Sequence, residues 1–158
     1  MNLNDALSTP EKDMWIKAMQ EEFDSLKAND TWELVPRPAD RDVIDTRWVF
    51  RIKRNLDQSV EKYKDRFVVR SFTQIPGVDY DEIYSPVVSY TANRILIALA
   101  AKYNLKIHQM DVKSAFLNGE VDTELYIEQP EMFEEKDRKL WVCKLKKGLY
   151  GLKQAPRL

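Results

Sequence analysis

The chain has 158 residues, 44% of them apolar and seventeen of them aromatic, enough to build one core of ordinary domain size. No apolar run approaches the roughly 20 residues that span a bilayer, and residues 1–9 show no basic lead ahead of an apolar stretch, which argues against a membrane partner, a secretory leader and an Arg-rich transit peptide. The net charge of −1 conceals blocks: residues 1–35 hold three basic and eight acidic side chains, 46–70 eight basic and three acidic, 120–135 seven acidic and none basic, and 136–158 eight basic against Asp137 alone. Charge runs of this kind are either solvated faces or an electrostatic footprint for a polyanion. Cys143 is alone, so no intramolecular disulfide forms, and with the single His108 it makes no zinc knuckle; a reducing, intracellular setting, cytoplasmic by default, is expected.

In chain order, Ser8-Thr9-Pro10-Glu11 combines a hydroxyl cap, a first-turn proline and a carboxylate three residues after Ser8, which predicts a helix from here to about Asn29. Trp15, Met19, Phe23 and Leu26 recur at helical spacing along it, with Lys12, Lys17, Glu21 and Asp24 left for water. Residues 31–35 alternate briefly before Pro36 and Pro38, a short strand and a connector. Residues 47–53 place Trp48, Phe50 and Ile52 on one face against Arg47, Arg51 and Lys53, and Tyr63, Phe67 and Val69 alternate against Lys62, Lys64, Arg66 and Arg70, with Asp65 breaking the pattern. The two runs predict a hairpin with a basic face, turning at residues 55–59.

A loop is expected over 74–86, then an apolar helix opening at Thr91 and running to Tyr103, largely buried. Residues 105–112 return to strand character and deliver Asp111 at their end. Two more strands are expected at 124–128 and 140–145, before a turn bearing Gly148 and Gly151.

An aspartate at a strand end is a weak signal, because such positions commonly hold a cap or turn former. Here its surroundings sharpen it. Met110-Asp111-Val112-Lys113-Ser114-Ala115-Phe116-Leu117-Asn118-Gly119 resembles the first catalytic motif of copia-type retrotransposon reverse transcriptases nearly residue for residue. Further blocks resemble that family in its order: residues 15–22, 29–36, 47–50, 63–66, 72–74, 77–80, 84–87, 126–130 and 149–157. Nearly the whole chain is covered.

The resemblance implies an α+β fold of reverse transcriptase fingers and an incomplete palm, an antiparallel sheet with packed helices. It divides the chain into an N-terminal helix and connector (1–45), the fingers hairpin and loop (46–90), a first palm part (91–118), a second fingers part (119–148) and the start of a second palm part (149–158). It implies RNA-directed DNA synthesis within a Pol polyprotein, on an RNA or DNA template-primer with deoxynucleoside triphosphates, in the setting of a virus-like particle. Asp111 is then the first of the carboxylates that hold two Mg2+ ions, with the Val112 carbonyl as an auxiliary ligand. Phe116 lies under the incoming sugar and leaves no room for a 2′-hydroxyl; read alone it is an ordinary core phenylalanine. Lys64 and Arg66 meet the triphosphate, Tyr150, Gly151 and Lys153 lie beside the nucleotide, and Pro156 beside the template.

Four departures from the family pattern stand out: Ser71 and Met132 replace glycines, Ile83 replaces a threonine, and the turn at 56–59 lacks its usual glycine. The family draws its other metal-binding carboxylates from a Tyr-x-Asp-Asp hairpin further downstream, and no Asp-Asp pair occurs here. A fragment cut off before its catalytic site is complete, holding Mg2+ weakly or not at all and inactive alone, is therefore expected. Other readings are a non-catalytic nucleic-acid binder acting through the basic hairpin and tail, a translated relic, and a fragment whose exposed palm edge pairs with the rest of the polymerase or another chain.

Overall fold

The computed structural model describes residues 2–158, so Met1 of the amino-terminal segment lies outside it. The chain is mixed α and β, with helices α1 (Leu3–Leu7), α2 (Lys12–Ala28) and α3 (Tyr90–Tyr103) and strands β1 (Trp32–Pro36), β2 (Val43–Ile44), β3 (Thr46–Arg54), β4 (Val60–Val69), β5 (Tyr126–Ile127) and β6 (Trp141–Leu145). Single 3-10 turns occupy Ser71–Thr73 and Ala115–Asn118.

Ser8 does not cap α2. A short helix precedes it, opened by a capping box between Asn2 and Asp5, and the Ser8 and Thr9 hydroxyls turn back to donate to the carbonyls of Asp5 (2.8 Å) and Ala6 (2.9 Å). The residue at the N-cap of α2 is Glu11, and its side chain makes no capping bond. The face forecast from periodicity is the buried one: Trp15, Ala18, Met19, Phe23 and Leu26. Asp30, in the left-handed conformation (φ 51°), ends the helix, and buried Thr31 donates to the Leu26 carbonyl at 2.7 Å.

Strands β3 and β4 form the predicted hairpin, in register from Thr46↔Val69 to Lys53↔Lys62. Trp15 docks α2 onto this ribbon, edge-on to Phe50 (5.3 Å) and Tyr63 (4.6 Å). The other strands form a separate four-stranded sheet in the order β1-β6-β5-β2. It is not wholly antiparallel, because the unforeseen two-residue β2 pairs parallel with β5. Pro36 sits at the end of an edge strand, where a missing N–H costs no ladder bond. Trp48, Phe67, Ile127, Leu145 and Leu149 lie in one core that joins ribbon and sheet.

Two expectations fail over residues 90–112. Helix α3 starts at Tyr90, with Ser89 accepting from the Ala92 N–H (3.2 Å), and it is exposed rather than buried: Ile95, Leu96, Ile97 and Tyr103 all face solvent and only Ala100 is enclosed. A helix with so many exposed apolar side chains needs a partner to bury them, and the described residues leave most of them uncovered. Residues 105–112 form no strand, because no neighbouring strand among the described residues supplies the ladder that extended backbone requires.

Two of the glycine departures acquire a conformational meaning. Gln58 in the hairpin turn (φ 67°) and Met132 (φ 73°) both occupy the left-handed region, while Ser71 does not.

Candidate functional site

On the outer face of the ribbon, like charges stand directly opposite one another: Arg51 faces Lys64, and Lys53 faces Lys62. Such pairs oppose strand pairing, and an anion bound over them relieves the repulsion. Lys62 is answered by Glu21 at 3.0 Å. Arg51, Lys53, Arg54, Lys64 and Arg66 line one open cleft of about 430 Å³, and Lys64 and Arg66 carry no ion pair among the described residues. The buried Nε of Arg66 has no hydrogen-bond partner either.

Arg66, which lines that cleft, also meets residues from two distant parts of the sequence. The guanidinium of Arg66 lies 4.9 Å from the ring centre of Tyr150, and Phe116 meets the same ring edge-on at 4.8 Å. Phe116 is half-buried in its 3-10 turn, just after Ser114 in the left-handed region (φ 51°). Tyr150 is held to β4 because its carbonyl accepts the Val69 N–H at 2.8 Å. Gly151 (φ 95°) makes this approach possible, since a Cβ there would sit 2.7 Å from the Val68 Cγ1, and closer still to the Val69 carbonyl oxygen.

The remaining residues named from the resemblance lie elsewhere. Lys153 is occupied by the 74–80 loop: its Nζ donates to the Gln74 carbonyl (3.2 Å) and the Tyr80 hydroxyl (3.3 Å), and its ammonium lies over the Tyr80 ring. Pro156 is exposed, and its carbonyl accepts from the Ser85 hydroxyl (2.7 Å). Asp111 and Val112 are exposed on the irregular segment that follows α3, and Asp111 makes no hydrogen bond or ion pair among the described residues. No group of three or more His, Cys, Asp or Glu side chains able to hold a metal is assembled among the described residues.

Two features escaped the sequence reading. Asp65, the break in the β4 alternation, points inward and is 3% exposed. It lines one cleft of about 190 Å³ with Glu22, and its Oδ2 has no partner. Burial first, then the Glu22 carboxylate, push the Asp65 carboxyl up to about 7. Burial also raises Glu22, against the Phe67 N–H, Lys64 and Arg66. The second feature is a pair of buried amides, Gln74 and Gln154, linked at 3.2 Å. The only signal for it was a glutamine set among Leu149, Leu152 and Ala155. Cys143 is buried, its thiol pushed up to about 12, and so chemically quiet.

Comparison with known proteins fixes the class. Residues 29–158 match the family described as reverse transcriptase (RNA-dependent DNA polymerase), and the chain belongs to that family. Its relatives are specific: it is 49% identical over 156 residues to the retrovirus-related Pol polyprotein from transposon TNT 1-94 of Nicotiana tabacum, covering 99% of this chain and 12% of that one. It is 42% identical over 153 residues to the Pol polyproteins from transposons RE2 and RE1 of Arabidopsis thaliana, covering 96% of this chain and 10% of each. The chain thus spans about a tenth of the length of these relatives. No solved structure matches it. Among the described residues no helix is long and apolar enough to cross a membrane.

Proposed function

We propose that this chain contributes the nucleotide-facing fingers and the first part of the palm to a copia-type reverse transcriptase, which copies RNA into DNA from deoxynucleoside triphosphates. The observation that carries this reading is the convergence of Tyr150 and Phe116 on Arg66, a residue that lines a basic cleft. A guanidinium over one ring, which a second ring meets edge-on, offers charge to a triphosphate and flat apolar surface to a sugar. Residues 46–90 and 119–148 form the fingers, 91–118 the first palm part and 149–158 the opening of the second. The exposed apolar side chains of α3 support this division, because they are the surface on which further palm structure would pack.

Reverse transcriptases generally use a divalent metal. A two-ion centre holds its ions roughly 3.5–4 Å apart and needs several carboxylates to offset their repulsion. Asp111, with the Val112 carbonyl next to it in sequence, offers one. The residues present therefore do not fit such a centre by themselves, and the partner carboxylates come from elsewhere in the polyprotein.

Primer extension tests this. The 158-residue chain gives no incorporation with Mg2+ or Mn2+, whereas a longer chain that adds the partner carboxylates extends the primer and loses that activity in Asp111→Asn. Template-dependent incorporation by the 158 residues alone, abolished by Asp111→Asn, would overturn the division of labour.

The like-charged ribbon also favours a second reading, a non-catalytic nucleic-acid binder. Its affinity for single-stranded RNA would fall steeply between low and moderate salt. Filter binding that is absent, or unmoved by salt, removes that reading.

A further inference from the structure

The two buried glutamines join the segment that follows β4 to the end of the chain, beside the Lys153 and Ser85 contacts. Gln154 is 0% exposed and Gln74 is 3% exposed. Every amide group is satisfied by protein. The Gln74 Oε1 accepts from the Lys153 backbone N–H (2.9 Å), and its Nε2 donates to the Gln154 Oε1 (3.2 Å). The Gln154 Nε2 in turn donates to the Asp79 carbonyl (2.8 Å), with the Thr123 hydroxyl at 3.4 Å. Thr123 donates to that same Asp79 carbonyl (2.8 Å), while the Asp79 carboxylate accepts the Ile75 N–H (2.7 Å) and closes the 75–79 loop.

This placement has a mechanical consequence. Gln74 follows β4 by one 3-10 turn, and Gln154 follows the Tyr150-Gly151 turn by three residues. Tyr150 comes back to β4 through the Val69 N–H. The end of β4, the clasp and the aromatic turn therefore form a closed ring, and its member Tyr150 carries the contacts with Arg66 and Phe116. Neither glutamine touches that stack. A buried, hydrogen-bonded polar pair tolerates little displacement, since moving either amide orphans the other.

We propose that Gln74 and Gln154 are positioning residues for the nucleotide site: a buried amide clasp that seats the Tyr150-Gly151 turn on β4 and thereby sets the stack between Arg66, Tyr150 and Phe116. The role at a nucleotide rests on the function proposed above; the seating of the turn does not.

Hydrogen exchange and dTTP binding, both on the 158-residue chain, separate the two. In Gln154→Leu and in Gln74→Leu the Val69 amide exchanges at least roughly tenfold faster, while the β6 amides of Val142 and Leu145 keep their protection. The double variant Gln74→Leu/Gln154→Leu accelerates Val69 no further than either single change, because one clasp has been lost and not two. Gln154→Glu, which still accepts from Gln74 but cannot donate to Asp79, falls between the wild type and the leucine variant. The dTTP affinity of each leucine variant drops in step with the Val69 exchange rate. Unchanged Val69 protection, or equal loss of protection in β6, overturns the proposal, the latter by showing a general structural role. So does unchanged dTTP affinity in chains whose Val69 is deprotected, if Arg66→Ala weakens binding. Failure of the unmodified chain to bind dTTP sinks the nucleotide reading of the site and leaves the seating of the turn to be decided by Val69 alone.

Discussion

Asp65 of β4 and Glu22 of α2 face a common cleft beneath the basic ribbon, two carboxyl groups where the packing of Trp15 against Tyr63 and Phe50 would favour an apolar contact. Desolvation, reinforced by Glu22 and more weakly by Glu21, keeps a proton on Asp65, while Lys62 acts in the opposite sense. The folded chain then binds a proton that the unfolded chain has released between pH 3.8 and about 7. Stability is full below that window and falls as the pH rises through it, by at most about 1.4 kcal/mol per pH unit for one proton. Thermal melts from pH 5 to 8 should show this decline. Asp65→Asn should flatten it and melt higher than the wild type at pH 8; a variant that melts lower at pH 8 would contradict the assignment.

Gln58 and Met132 hold left-handed backbone that glycine adopts without steric cost. Gln58→Gly and Met132→Gly should each stabilise the chain by about 1 kcal/mol. Ser71→Gly, where the backbone is not left-handed, should instead be neutral or destabilising. Urea melts on the three variants check the contrast, and a uniform effect across all three would refute it.

Gly151 combines a positive φ with close approach to Val68 and Val69. Gly151→Ala should cost about 2 kcal/mol or more and detach Tyr150 from the Val69 N–H. Loss of slow exchange at Val69 would report the detachment, and retained protection would argue against it.

Arg66 lines the cleft, and its guanidinium carbon lies 4.9 Å from the centre of the Tyr150 ring. Arg66→Ala should weaken dTTP binding roughly tenfold, and Arg66→Lys should recover little of that, because an ammonium neither forks nor stacks in the same way. Titration by isothermal calorimetry decides; a lysine variant as tight as the wild type would mean that charge alone is read.

The hairpin and the buried face of α2 were legible because each follows from a period, two for the strands and 3.6 for the helix. The start of α2 was misread because Ser8-Thr9-Pro10-Glu11 fits an N-cap equally well as the end of a preceding turn, and only the helix at Leu3–Leu7 decides between them. The strand at 105–112 and the burial of α3 were misread for another reason. Alternation and apolar content state what a segment prefers when partners are present, and neither records whether those partners are there. Of the candidate residues, Arg66, Phe116 and Tyr150 come together in space, while Lys153 turns toward the 74–80 loop and Asp111 belongs to no metal-holding group of three or more His, Cys, Asp or Glu side chains among the described residues.

By itself the sequence determined the order of motifs, the basic ribbon and the family, because these depend on residue identity and spacing along the chain. Only the tertiary structure decided that Asp65 is enclosed beside Glu22, that two glutamines clasp, and that an arginine at 66 stacks on a tyrosine at 150. Those relationships join residues far apart in the chain, and the burial that gives them their energy exists only once the core has formed.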